Sequence, residues 1–209
     1  AGALLSLLAL AGAGRLAWRG AAPHGTLLLA SGAPLVSLVI FLLLSLGLAA
    51  PAVAIAVCVA FALAVPWRGL RWTWPAWPAL LLVPFFVFYA VHALAPEIQP
   101  DAAGYHLGLV AAWARTHGFV FQNGFYDILP LGLETLFLPA FLIGAHSAAK
   151  LVHFFLLCAT VPLICHIGAR FGLNRVQRLA AAGLYVLTPV VAVAGTSAYN
   201  DVAEVFFSL

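Results

Sequence analysis

Long apolar runs separated by short polar stretches set the plan of this chain. A helix needs about 20 apolar residues to cross a bilayer, and the pattern predicts a series of them. Residues 2–18 form a short first segment and 26–47 a second, while Pro51 opens a third that runs to about Ala64. Residues 79–95 form a fourth, and 148–169 and 179–195 two further spans. The apolar run 129–145 is short and opened by Pro130, which predicts a juxtamembrane or half-inserted helix. The outer loop 96–147 includes that helix, and its part 96–130 is the one long polar region, holding Glu97, Asp101, Gln122, Asn123 and Asp127. Within it, residues 102–117 predict a helix lying along the membrane surface, with Trp113 suited to the interface. The expected fold class is all-α: a polytopic membrane helix bundle with juxtamembrane helices in its first long outer loop. It divides into N-terminal helices with a Trp/Arg loop, 1–78, and a second module, 79–209.

Composition agrees. The chain is 65% hydrophobic and 7% charged, whereas soluble domains are about a quarter charged. The net charge of +3 does not indicate nucleic acid. The basic residues sit at segment ends: Arg15 and Arg19, Arg68 and Arg71, then Arg170, Arg175 and Arg178. That is the distribution of cytoplasmic loops under the positive-inside rule. Trp67, Trp72, Trp74 and Trp77 around Arg68 and Arg71 describe a cytoplasmic interface belt. Segment 79–95 then delivers Asp101 to the outside. If 129–145 also crossed, the basic loop 170–178 would face outside, against the rule. Leaving that helix half-inserted restores the rule and brings Asp201 out on the same face as Asp101. Cys58, Cys158 and Cys165 fall inside apolar segments and read as buried free thiols. The absence of Met and the apolar residues at both ends suggest a piece of a longer protein, and the first segment is no signal peptide because more spans follow at once.

Two acidic spots break the apolar plan. They are Gln99-Pro100-Asp101 with Tyr105-His106, and Gly195-Thr196 with Tyr199-Asn200-Asp201. A carboxylate at the bilayer edge is costly unless it is solvated, paired or functional. At 100° per residue, Asp101, Tyr105 and Arg115 share one side of helix 102–117, with Gly104, Gly108, Ala111 and Ala112 leaving room beside them. An arginine there suits a phosphate. Structural roles compete. Asp101 suits a helix N-cap, and Asp201 with Glu204 reads as a capping box. His153 and His166, on one span, suit packing between helices, and no histidine spacing indicates a metal site.

The order of these features resembles the membrane glycosyltransferases of the GT-C fold. It runs from an apolar span through Gln99-Pro100-Asp101 and Tyr105, a surface helix, a proline-led short helix, a span, a basic loop and a span to Gly195-Thr196 and Asp201. That group includes protein O-mannosyltransferases, the aminoarabinose transferases of lipid A and bacterial relatives, and the likeness covers about residues 80–209. It implies a transferase that takes a sugar from a polyprenyl-phosphate donor to an acceptor on the non-cytoplasmic face of a bacterial plasma membrane. Asp101 and Asp201 carry over as the catalytic acids. Tyr105, His106, Arg115, Glu134, Tyr199 and Asn200 are the expected substrate-binding residues. Membrane lipids are further partners, and the likeness implies no certain cofactor beyond a possible divalent cation. The chain departs from its relatives at Ala102, where many carry a second acid, and at Leu129-Pro130, where a lysine precedes the proline; Glu134 then stands in for the absent acid. The alternative is a transporter or a non-catalytic membrane scaffold subunit. Its acids would line a path near the bilayer midplane in the first case and only cap helices in the second.

Overall fold

A computed structural model describes residues 1–18, 24–65, 77–121, 125–129 and 131–209. The expected Trp/Arg belt around Arg68 and Arg71 lies outside the described residues, as do Gln122, Asn123 and Pro130. Every regular element among the described residues is helical. The α-helices are α1 (Gly2–Ala17), α2 (Gly25–Ser45), α3 (Pro51–Ala62), α4 (Val83–Leu94), α5 (Leu107–Thr116), α6 (Gly132–Arg170), α7 (Arg175–Val186), α8 (Pro189–Thr196) and α9 (Asp201–Ser208). Local signals place several of their starts. Pro51 and Pro189 stand in the first turns of α3 and α8, where the missing N–H costs nothing. Asn174 and Gln177 form a reciprocal capping box at the start of α7.

Helix α6 is the axis of the molecule and touches each of the other α-helices. Its buried face carries Phe137, Leu138, Val152, Leu156 and Leu157. Helices α1 and α2 pack backbone to backbone. A Cβ at Gly32 would run into the carbonyl of Leu10, and one at Gly14 into that of Leu28. Small residues allow this approach between helices in an apolar environment. Buried Tyr89 ties α4 to the end of α7 by donating to the Val186 carbonyl at 2.9 Å.

Helices α2 and α6 are long and apolar enough to cross a membrane, and α7 with α8 makes a third if that bent pair is one span. This is compatible with an integral membrane protein. Several expected spans differ in detail. Helix α3 is helical for only 12 residues, about 18 Å at 1.5 Å per residue, and the fourth segment begins as a 3-10 helix, Trp77–Leu82, that runs straight into α4. The segment 179–195 is not straight but bent by 66° between α7 and α8. Pro189 is the cause, since it pushes Thr188 out of the helical region to ψ 121. The break expected near residue 146 falls inside α6, where Gly144 (φ −144, ψ 22) and Ala145 (φ 51, ψ −146) leave the helical region. Trp113 is not interfacial: it is buried and meets Phe119 edge-on at 5.1 Å.

Candidate active site

The first acidic segment follows α4, whose last carbonyls lack partners within the helix. Helix α6 supplies them. Ser147 Oγ donates to the Leu94 carbonyl at 2.9 Å. The Lys150 ammonium donates to the carbonyls of His92 at 3.0 Å, Ala95 at 2.9 Å and Pro96 at 3.5 Å. This cation is buried, and it meets the negative end of a helix. The chain then turns at Glu97. Its Oε1 accepts from the backbone N–H of Ile98 at 2.9 Å and of Gln99 at 3.0 Å. Asp101 follows with helical φ and ψ and makes no capping bond through its side chain. The N–H of Ala103 is taken by the Gln99 carbonyl at 2.9 Å. Residues Ala102–His106 form a single π-helical turn before α5. Such wide turns are rare and gather at functional sites.

The second acidic segment is held from outside as well. His153 of α6 has no solvent exposure. The backbone N–H of Ala203 donates to its Nε2 at 3.2 Å, so the proton sits on Nδ1, which donates to the Ser197 carbonyl at 2.8 Å. Ala203 is the third residue of α9, and its N–H is one that the helix itself leaves unpaired. A buried imidazole therefore caps α9 in place of a local side chain. Asn200, at the N-cap position, makes no side-chain cap. The capping box expected of Asp201 and Glu204 does not form, because Asp201 lies inside the first turn and Glu204 bonds through its backbone to the Asn200 carbonyl at 2.8 Å. The Ala198 N–H donates at 3.0 Å to Oε2 of Glu97, the other oxygen of the carboxylate that organises the first segment.

These anchors bring the two segments together. Burial, then the negative charge of Asp101 and of Glu134, then Tyr126, then Asp201, raises the Tyr105 phenol above its ordinary pKa. Burial, then Asp101, Glu97 and Asp201, raises that of Tyr199. Both aspartates thus act on both tyrosines, and the phenols stay protonated donors across the physiological range. Tyr105 lies flat on Tyr126, with centroids 4.1 Å apart and planes 5° from parallel. The His106 ring is 4.0 Å from that of Tyr105, and Tyr199 meets His106 edge-on at 6.0 Å.

Asp101, Tyr105, Tyr199, Asn200 and Asp201 accordingly share one region. The aspartates and Asn200 are exposed, and among the described residues neither aspartate has a hydrogen-bond or ion-pair partner. His106 and Glu134 lie beneath it. His106 Nδ1 is 2.5 Å from Glu134 Oε1, and both side chains are nearly excluded from solvent. Glu134 therefore orients a histidine and does not stand beside Asp101 as a surface acid. Arg115 is not part of the grouping. It lies near the end of α5, roughly 20 Å along the helix from Asp101 at about 1.5 Å per residue. Among the described residues no group of three His, Cys, Asp or Glu side chains is placed to hold a metal ion.

Sequence reasoning missed the three anchors: Glu97, Lys150 and His153. Lys150 had a signal, because a lysine inside an apolar run needs a partner. Glu97 and His153 had none, since their partners lie 101, 44 and 50 residues away. No family model, no curated protein and no solved structure matches this chain.

Proposed function

We propose that this chain belongs to a membrane glycosyltransferase, which moves a sugar from a polyprenyl-phosphate donor to an acceptor on the non-cytoplasmic face. One observation carries the reading. Two carboxylates 100 residues apart in the chain both act on Tyr105 and Tyr199, and neither is used for capping. Had Asp101 and Asp201 been helix caps, their oxygens would be taken by backbone N–H groups. Instead Gln99, His153 and Glu97 hold the nearby backbone and leave both carboxylates to solvent.

Free carboxylates beside protonated phenols suit the acceptor half of glycosyl transfer. One carboxylate takes the proton of the acceptor hydroxyl as its oxygen bonds to the sugar carbon and the bond to the carrier phosphate breaks. Tyr105, Tyr199 and Asn200 offer donors and acceptors for sugar hydroxyls. The departing phosphate needs a counter-charge. Arg115 is remote from the aspartates, and the N–H groups of Lys150 are committed to α4. That part of the chemistry falls to groups other than these two.

The test is transfer from a polyprenyl-phosphate sugar in membranes by the full-length protein carrying Asp101→Asn, with a thermal-unfolding control. Asparagine keeps the shape and a hydrogen-bonding oxygen but removes the base. A loss of about 10²-fold or more with unchanged folding is expected. Near-normal transfer would refute the proposal.

A further inference from the structure

The carboxylate of Glu97 is the direct bond between the two acidic segments. One oxygen accepts from Ile98 and Gln99, which lead through Pro100 into Asp101. The other accepts from Ala198, three residues before Asp201. Glu97 is half-buried, and all its bonds go to backbone N–H groups. An ionised carboxylate has acceptor capacity on two oxygens and no donor, and hydrogen bonds to such a group are stronger than neutral ones. It can accept from the backbone N–H groups of two strands at once, one strand on each oxygen.

We propose that Glu97 is a positioning residue that fixes the separation of Asp101 from Asp201. This rests on the reading of the two aspartates as a working pair. Each segment has its own attachment to α6: Lys150 holds the chain just before Glu97, and His153 holds the chain on either side of Asp201. These attachments set each segment against α6. Glu97 sets the segments against each other.

The amide of Glu97→Gln has a single acceptor oxygen. Its NH2 replaces one of the two acceptor positions, so either the Oε1 bonds of the loop or the Oε2 bond to Ala198 is lost, and the charge with it. Glu97→Ala removes both bonds, and Glu204→Gln, on the exposed side of α9, controls for loss of a nearby charge. Spin labels on Gly104→Cys, which faces open space, and Val205→Cys report the spacing of the two segments in the full-length protein. Cys58, Cys158 and Cys165 are replaced in all samples.

A single narrow distance is expected with Glu97 and with Glu204→Gln, and a broad or shifted one with Glu97→Gln and Glu97→Ala. Transfer should fall in kcat on the order of 10²-fold, with the donor's KM changed far less. An unchanged distance distribution overturns the proposal, and so does a changed distribution with normal kcat. The distance arm reads the link whether or not the chain transfers sugar. A null result for Asp101→Asn counts against the function alone.

Discussion

At the scale of single residues, polar groups hold polar groups where the chain is otherwise apolar. Glu134 shows what such a contact is worth. In Glu134→Ala the Nδ1–H of His106 would remain in a buried place without an acceptor. Leaving a buried donor unpaired costs about 1–3 kcal/mol. The thermal midpoint of the purified protein in detergent should fall accordingly, and Glu134→Gln, which keeps an acceptor oxygen, should fall less. Equal midpoints for the alanine and glutamine variants would show that the hydrogen bond contributes nothing. The same scale explains what the sequence did not disclose about the site. Asp101, Tyr105, Tyr199 and Asp201 announce themselves as polar residues in an apolar chain. The burial of His106 depends on a glutamate 28 residues away, and no local pattern encodes such a pair.

At the scale of elements, hydrophobic periodicity located the helices and left their ends to local chemistry. The run 26–47 and helix α2 nearly coincide, because no charged residue lies between His24 and the turn after Ser45. The run 179–195 breaks because one proline, read only as part of the run, denies the helical region to Thr188. The separation of 129–145 from 148–169 was legible, whereas its backbone form was not. Ala145 adopts φ 51 and ψ −146, a conformation that favours glycine and strains any residue with a Cβ. Ala145→Gly should therefore stabilise the protein by about 1 kcal/mol, the relief exceeding glycine's entropic penalty. Denaturant or thermal unfolding measures it. A loss of stability would mean that the break does not strain the chain.

At the scale of the whole molecule, α6 spans the distance between two chemically different ends. Ser147, Lys150 and His153 mark the level of the acidic segments. Arg170 marks the other end, roughly 25 Å further along the helix from His153 at about 1.5 Å per residue, and Arg175 and Arg178 follow it at the start of α7. That length is close to the hydrocarbon core, about 30 Å. Basic loops favour the cytoplasm, so acids and arginines should lie on opposite faces. Cysteines placed singly at the exposed positions Ala103, Glu204 and Leu173 test this in a chain lacking its own cysteines. A membrane-impermeant thiol reagent should label the first two in intact cells and the third only after permeabilisation. Labelling of Leu173→Cys alone in intact cells would invert the topology.

The bond between Glu97 and Ala198 also has a temporal side. Its two partners are 101 residues apart in the chain. At a synthesis rate of about 5–20 residues per second, Glu97 is added to the chain roughly 5–20 s before Ala198 exists. His153 likewise waits for Ala203, 50 residues later. During that interval the first acidic segment has only its local turn and the arriving α6 to shape it. The link between the two acidic segments is therefore among the last features of this region to be completed.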